Sequence, residues 1–225
     1  MKITEKEFTF KDKLINIFLP ERCPYCTKVV PMGKLFCDEC AGNYTGITYH
    51  TYARGGYLTV SAVPYVDKFA DGIKRFKFNK GQQYAYQLAQ LMANAIAREY
   101  KDEVFDCIGF VPLHQKKLSE RGYNQSELLA NELSGLLGIP AENLIKKTKN
   151  NQPQHSLKKA AERETNVRGV YRLADKNSAV NKRILLIDDI VTTGNTLGEC
   201  ARILTEGGAA KVLCATFAIA VTKTT

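Results

Sequence analysis

A chain of 225 residues can bury one substantial core and carry one small appended module, because domains typically span about 100 to 200 residues. We expect a cytoplasmic protein that is not itself transmembrane, since no apolar run approaches the roughly 20 residues of a spanning helix and Glu5, Glu7 and Asp12 interrupt the region where a signal peptide would be apolar. The formal net charge of +9 suits an anionic partner, but charge alone does not distinguish a phosphorylated small molecule from nucleic acid or an acidic membrane.

Four of the seven cysteines form two closely spaced pairs near the N-terminus, Cys23-Pro-Tyr-Cys26 and Cys37-Asp-Glu-Cys40. Each pair can turn two thiolates toward one point, and the residues between the pairs suffice for a short hairpin. Two disulfides or two redox dithiols are the alternative, which a reducing compartment disfavours. The spacing predicts one structural zinc ion, because four thiolates leave no open position for water.

The composition changes at about residue 56. Residues 1 to 56 contain a short amphipathic segment around Leu14 to Leu19, the two cysteine pairs and a connector rich in Gly and Tyr. So small a segment buries little core, and metal binding is expected to supply its folding free energy. We therefore divide the chain into an N-terminal zinc module, 1–56, and a larger domain, 57–225.

Residues 57–225 alternate between short apolar runs, which predict strands, and apolar residues at helical spacing. The predicted strands cover 58–66, 107–111, 144–146, 184–187 and 212–220. The predicted helices cover 82–100 and 126–137, and a third begins at 196. This order predicts an α/β fold with a mainly parallel sheet flanked by helices.

A basic stretch with two aromatic residues, 74–80, lies between the first strand and the first helix of the larger domain. Bases can stack on aromatic rings while phosphates pair with cations, so this stretch is a weak candidate for binding single-stranded nucleic acid. In the alternative, Phe76 and Phe78 face the core in a strand-like alternation. The candidate nucleic-acid ligands are Lys74, Arg75, Lys77 and Lys80.

A second basic segment follows the predicted strand 107–111 and is expected to be a loop. Its cations either bind an anion or are simply exposed. Its candidate residues are Leu113, His114, Gln115, Lys116, Lys117 and Arg121.

The longest polar connection, 148–170, contains Gln154, Lys158 and Arg163. Loops of this length are commonly functional lids or solvated linkers. A lid would keep water away from a reactive intermediate, whereas a linker would have no such role.

The strand 184–187 leads into Asp188 and Asp189 and then into a turn rich in hydroxyl groups that opens a helix. Such a turn, at the carboxyl end of a buried parallel strand, offers backbone N–H groups to an anion, and Gly194 permits close approach of the backbone. A chance strand-turn-helix and a nucleotide-hydrolysis strand whose Asp pair holds magnesium are the two alternatives. The second requires an upstream GxxxxGK[ST] string, which the sequence lacks. The pattern therefore predicts a phosphate site beside two carboxylates.

The string 184–196 resembles the phosphoribosyl diphosphate (PRPP) signature of type I phosphoribosyltransferases. The resemblance implies that Asp188 and Asp189 accept hydrogen bonds from the ribose hydroxyls and that the segment 113–117 holds the pyrophosphate, with Arg121 adding a contact. It also implies Mg²⁺ bound with PRPP. The residues implied to bind the 5′-phosphate are Val191, Thr192, Thr193, Gly194, Asn195 and Thr196.

Taken in order, several strings resemble the ComF family over nearly the whole chain. That family is similar to amidophosphoribosyltransferases in its catalytic domain and is linked to uptake of single-stranded DNA in natural competence. The resemblance implies PRPP, single-stranded DNA and competence or DNA-translocation proteins as partners, with those proteins placing the chain at the inner face of the membrane. The matching strings are the four cysteines, Lys74 with Lys77 and Phe78, 112–114, 121–126, 154–166 and 184–196.

Two hypotheses about activity remain open. In the first, the protein is a phosphoribosyltransferase that uses Mg²⁺ and PRPP, with an acceptor that the sequence does not name. In the second, it is a non-catalytic module that binds PRPP or a phosphorylated nucleic-acid end and handles single-stranded DNA. Both require the same phosphate-binding turn.

Overall fold

The computed structural model describes residues 2–4, 8–78, 81–148 and 169–220. It is an α/β structure with one large sheet and one small ribbon. In chain order the elements are α1 (Phe10–Phe18), α2 (Asp38–Ala41), β1 (Tyr49–Ala53), β2 (Tyr57–Pro64), α3 (Asp67–Lys77), a 3₁₀ turn (Gly81–Tyr84), α4 (Ala85–Glu99), β3 (Cys107–Phe110), α5 (Gln115–Arg121), α6 (Gln125–Leu137), β4 (Ala141–Glu142), β5 (Ile145–Lys147), β6 (Tyr171–Leu173), β7 (Arg183–Val191), α7 (Asn195–Glu206) and β8 (Lys211–Ile219).

The large sheet has the strand order β1-β2-β8-β7-β3-β4. All of its pairings are parallel except that of β1 with β2, which form an antiparallel hairpin at one edge. The predicted mainly parallel sheet is therefore confirmed. Strand β7 lies between β8 and β3, so its carboxyl end opens between two neighbouring strands, where α/β proteins bind ligands.

The core has a layer of helices on each face of this sheet. Leu185 and Ile187 of β7 pack into the cluster that contains α4 and α6, whereas Ile184 and Leu186 pack into the cluster that contains α7. All four residues are fully buried because successive side chains of a strand point to opposite faces. The continuous apolar run in the sequence thus reflects burial on both sides.

Several predicted elements differ from those observed. Strand β1, residues 49–53, pairs with the large sheet, although the prediction placed these residues in the N-terminal module. The division at 56 falls in the turn of the β1–β2 hairpin and stays a prediction. The strand predicted at 144–146 is present as β5, but it pairs antiparallel with β6 in a separate ribbon.

Helices α3 and α5 lie in segments that were not predicted as helical. Residues 67–77 form α3, so the strand-like alternation considered for Phe76 and Phe78 is wrong: Phe76 is buried and Phe78 is 54% exposed. The loop expected after β3 contains α5, which begins at Gln115 because the imidazole of His114 accepts a hydrogen bond from the Lys116 N–H and caps it. None of the helices in the described part of the chain is long and apolar enough to cross a membrane.

Candidate functional site

The main cavity, about 280 Å³ in volume, lies at the carboxyl ends of β3 and β7. It brings together residues from α3, α5, α6, β5 and β6, which are far apart in the sequence. Its polar lining residues are Lys77, Lys117, Arg121, Gln125, Ser126, Lys147, Tyr171, Asp188, Asp189, Thr192, Asn195 and Thr196.

Asp188 and Asp189, the carboxylate pair, lie in β7 near its carboxyl end and line this cavity. Asp188 Oδ1 accepts hydrogen bonds from the Ser126 hydroxyl at 2.8 Å and from the Asp189 N–H at 2.9 Å. Asp189 Oδ2 lies 2.9 Å from the Lys77 ammonium. Each carboxylate therefore has a fixed orientation and retains unshared electron pairs for a ligand.

Burial, followed by the charge of the neighbouring Asp189 carboxylate, raises the pKa of Asp188 to about 7. The Ser126 hydroxyl and the Lys77 ammonium oppose the shift. A donor that enters the cavity, such as a sugar hydroxyl, would stabilise the ionised form. Asp188 therefore changes its protonation state near neutral pH.

The segment 121–126 joins three parts of the structure around the carboxylate pair. Tyr123 donates a hydrogen bond from its hydroxyl to the carbonyl of Phe76, and Gln125 donates to the carbonyl of Lys77 at 3.4 Å. The Asn124 amide donates to the Val111 carbonyl at 3.1 Å, while its Oδ1 caps α6. The segment therefore ties the end of α3 and the end of β3 to the helix that carries Ser126.

Residues 191–196 form the phosphate turn, which is held down by the β1–β2 hairpin. Gly194 adopts a φ of 70°, and a Cβ atom on it would lie 2.8 Å from the Cα of Ala53. The Arg54 N–H also donates to the Gly194 carbonyl at 3.3 Å. Five of the six predicted phosphate ligands line the cavity, and Thr193 is exposed outside that lining: the five are Val191, Thr192, Gly194, Asn195 and Thr196.

The candidate pyrophosphate ligands divide into two groups. Leu113, Lys117 and Arg121 line the main cavity, and burial, followed by the charge of Arg121, lowers the pKa of Lys117. His114 caps α5, whereas Gln115 and Lys116 lie outside the lining of this cavity. The Arg121 guanidinium is held by Gln125 Oε1 at 3.0 Å and lies 5.2 Å from the Phe78 ring centre.

The structure adds five polar cavity residues that were not predicted for this site: Lys77, Gln125, Ser126, Lys147 and Tyr171. The Lys147 ammonium lies 5.2 Å from the centre of the Tyr171 ring. Burial, followed by the positive charge of Lys117, lowers the pKa of Lys147 to about 8. The sequence held a signal for Lys77 and Ser126, which lie within strings that match the ComF family, but none for the contact of Lys147 with Tyr171.

The basic stretch 74–80 does not present one common surface in its described part. Lys74 pairs with Asp71 at 3.2 Å, and Lys77 points to Asp189. Arg75 donates to the carbonyls of Pro24 and Tyr25, at 3.2 and 2.6 Å. Four candidate residues lie outside the described part of the chain: Lys80 and the lid candidates Gln154, Lys158 and Arg163.

The four sulfur atoms of Cys23, Cys26, Cys37 and Cys40 lie within 4.8 Å of one another and could hold a metal ion such as zinc. The sulfur atoms of Cys26 and Cys37 are 3.5 Å apart. Tetrahedral zinc with bonds of about 2.3 Å places its sulfur ligands roughly 3.8 Å apart, so the arrangement fits that ion.

The cysteine module packs against α3 and α4. The Tyr25 and Phe69 rings meet edge to face with centroids 5.0 Å apart, and a Cβ atom on Gly72 would lie 2.7 Å from the Tyr25 ring. The Gln87 amide donates to the carbonyls of Arg22 and Lys34, both at 3.3 Å. Because Arg75 also contacts this module, α3 is fixed on one side by the cysteine module and ends at the main cavity with Lys77.

Comparison with known proteins identifies a family model that matches part of this chain. The family model described as "Phosphoribosyl transferase domain" matches residues 124–224, which include Ser126, the carboxylate pair and the phosphate turn. Among solved structures, a phosphoribosyltransferase from Corynebacterium diphtheriae aligns with 82% of this chain and 83% of that chain, at 18% identity and a TM-score of 0.40.

Three curated relatives match most of the chain. Competence protein F of Haemophilus influenzae is 33% identical over 153 residues, 66% of this chain and 66% of the relative. Competence protein ComFC of Bacillus subtilis is 33% identical over 191 residues, 84% of this chain and 73% of the relative. DNA utilization protein YhgH of Escherichia coli is 28% identical over 203 residues, 84% of this chain and 86% of the relative.

Proposed function

Because this chain belongs to the ComF family and has a phosphoribosyltransferase domain of type I fold, we propose that it binds PRPP with Mg²⁺, transfers the phosphoribosyl group, and serves DNA uptake. One observation carries the PRPP proposal. The carboxylate pair, the phosphate turn and the cations Lys117, Arg121 and Lys147 line a single cavity.

Each part of PRPP has a chemically matched partner in that cavity. The ribose hydroxyls donate to Asp188 and Asp189, whose remaining contacts leave acceptor capacity. The 5′-phosphate lies in the phosphate turn at the start of α7, because the N-terminal end of a helix favours an anion. The diphosphate lies toward Leu113 and the three cations, which offset its charge.

The carboxylate oxygens and the diphosphate oxygens are the hard ligands that Mg²⁺ prefers, so the donor set fits this ion. When bound, Mg²⁺ supplies neutralising charge to the diphosphate. The protein side chains provide the rest of the environment. Lys77 and Ser126 hold the two carboxylates in place, and Lys117 and Arg121 attract the leaving group.

The reaction breaks the bond between ribose C1 and the diphosphate oxygen and forms a bond from C1 to an acceptor nucleophile, whose proton is released. Positive charge develops on the sugar and negative charge on the leaving diphosphate. Cations that are fixed before the reaction stabilise this charge separation without reorganisation. The fixed hydrogen bonds of the carboxylate pair orient the ribose for attack.

We assign the cysteine cluster to a structural zinc ion, because four thiolates would complete its coordination. Through Arg75 and Tyr25, zinc would fix α3 and thereby hold Lys77 beside Asp189. The names of the relatives, competence proteins and a DNA utilization protein, support the link to DNA uptake.

The test of this function is thermal stability with PRPP and Mg²⁺, followed by pyrophosphate release with base, amine and oligonucleotide acceptors. PRPP is expected to raise the Tm of the wild-type protein and to leave that of Asp188→Ala unchanged. Release that depends on both an acceptor and Asp188 would support transfer. An unchanged wild-type Tm at millimolar PRPP would contradict the site, and a Tm shift without release would favour the binding module.

A further inference from the structure

The β5–β6 ribbon carries two cations directly opposite each other. Lys146 is paired in register with Arg172, whereas the neighbouring pairs are Lys147 with Tyr171 and Ile145 with Leu173. Alternate residues of a strand point to opposite faces, so Lys146 and Arg172 share the face opposite to Ile145 and Tyr171. Both cations are exposed, whereas Ile145 and Tyr171 are buried.

This pairing is unfavourable for the protein alone. Directly opposed residues have Cβ atoms about 4.5 to 5.5 Å apart, and like charges at that separation destabilise a ribbon. Neither cation forms an ion pair with an acidic residue in the described part of the chain, whereas Lys28, Lys182 and Lys211 each pair with a glutamate. An anionic ligand would attract both cations and offset their mutual repulsion.

The two cations, which have no role in the proposed transfer reaction, line a second cavity of about 380 Å³. The amides of Gln115 and Asn143 and the hydroxyl of Thr148 also line it, and among its lining residues Glu127 is the only acid. The second cavity shares Pro112, Leu113 and Lys147 with the main cavity, so the two are adjacent.

We propose that this surface, defined by Lys146, Arg172, Gln115 and Asn143, binds the phosphodiester backbone of single-stranded DNA. Exposed cations beside amide donors suit successive phosphates of a strand. The proposal rests on the DNA-related part of the proposed function, and it places the strand beside the PRPP site. The stretch 74–80 stays a separate prediction of a nucleic-acid surface.

The experiment measures binding of labelled oligothymidine as a function of salt for the wild-type protein and for Lys146→Gln with Arg172→Gln. Each phosphate contact on a single strand contributes about 0.7 to the slope of log affinity against log salt, so the double variant is expected to lose about 1.4 from the slope. Lys11→Gln with Lys13→Gln, on α1, removes the same charge elsewhere and is expected to keep the wild-type slope.

A charge reversal gives a second measurement. Lys146→Glu places opposite charges on the ribbon, so it is expected to raise the Tm of the ligand-free protein while it abolishes oligothymidine binding. Wild-type affinity in Lys146→Glu would overturn the proposal. So would an absence of wild-type binding, or equal losses in the two double variants.

The Tm shift with PRPP is measured in the same proteins. We expect Lys146→Gln with Arg172→Gln to keep the Tm shift with PRPP. Loss of that shift would show that the ribbon belongs to the PRPP site and would contradict a separate DNA surface. A further outcome is that PRPP fails to raise the Tm of the wild-type protein while the ribbon variants still show a smaller slope of log affinity for oligothymidine against log salt. That result would contradict PRPP binding and support the DNA surface.

Discussion

At Asp188, burial and the neighbouring carboxylate both favour the protonated acid, which links the chemistry of the cavity to stability. The pKa rises from an ordinary 3.8 to about 7 in the folded protein. Between those values the folded state holds a proton that the unfolded state has lost, so stability falls as pH rises through this window. The ionised carboxylate of Asp188 therefore lowers the free energy of unfolding.

We expect Asp188→Asn to be more stable than the wild-type protein at pH 8, by about 2 kcal/mol, and to lose PRPP binding. The amide oxygen still accepts from Ser126 and from the Asp189 N–H, but the buried charge is gone. Urea unfolding at pH 8 and at pH 4 measures the difference, which should shrink at the lower pH. A constant difference at both values would contradict the ionisation argument.

Lys147 gives a second dependence on pH, because burial lowers its pKa whereas burial raises the pKa of Asp188. Its pKa is lowered to about 8, so the ammonium that attracts a diphosphate is lost as pH rises through that value. PRPP binding is expected to weaken about tenfold between pH 8 and pH 9.5. Lys147→Arg keeps its charge throughout and should lose most of this weakening, with the remainder due to Lys117, whose pKa is also lowered.

Binding measured by calorimetry across that range tests the assignment, and Lys147→Met gives the reference without charge. If the wild-type and Lys147→Arg proteins weaken equally, the titrating group lies elsewhere. Lys147 also affects the stability of the fold. Between about pH 8 and the ordinary pKa of 10.5, the unfolded protein holds a proton on this lysine that the folded protein has lost, so the free energy of unfolding should rise with pH in this range.

Among the elements, α7 and the β1–β2 hairpin meet without space for a side chain. A Cβ atom on Gly198 would lie 2.2 Å from the Arg54 carbonyl oxygen. Gly198→Ala must displace the hairpin that holds the phosphate turn, and we expect it to cost about 1 to 3 kcal/mol and to weaken PRPP binding. Denaturant unfolding and the Tm shift with PRPP measure the two effects.

Gly135→Ala is the matched control for that change. Gly135 lies within α6, and a Cβ atom there would meet no atom within 4 Å. The alanine should stabilise the helix by about 0.5 to 1 kcal/mol and leave PRPP binding unchanged. Equal behaviour of the two variants would mean that the contact of α7 with the hairpin does not support the turn.

The sequence predicted the elements whose local pattern agrees with their final environment. The run 184–187 is apolar because it is buried on both faces, and the segment 126–137 has helical spacing, so both were recognised. Strand β1 was missed because only alternate residues face the core, with a burial pattern too weak to separate it from a polar connector. Helix α3 was missed because its basic last turn resembles a solvated strand.

The residues of the site likewise divide into those that a local sequence pattern predicts and those that it does not. The carboxylate pair and the phosphate turn are contiguous in the sequence, so their chemistry could be read from one string. Lys77 and Lys147 reach the cavity only because α3 ends beside β7 and the ribbon folds over α7. Such contacts depend on tertiary packing, and no local sequence pattern predicts them.

At the scale of the whole molecule, the cysteine module and the main cavity are joined through one helix. The module contacts α3 through Tyr25 and Arg75, and α3 ends with Lys77 on Asp189. A metal ion that folds the module would therefore also position the cavity lysine. This coupling makes a prediction that neither site makes alone.

Removal of metal by a strong chelator should lower the Tm and weaken PRPP binding several-fold, and added zinc should restore both. Cys40→Ser should reproduce the loss without chelator, because three thiolates bind zinc less tightly than four. Lys77→Met, which leaves the cysteine module intact, should weaken PRPP binding while metal content stays at about one zinc per chain. If the metal-free protein binds PRPP as tightly as the zinc-loaded protein, α3 holds its position without the module and the coupling is wrong.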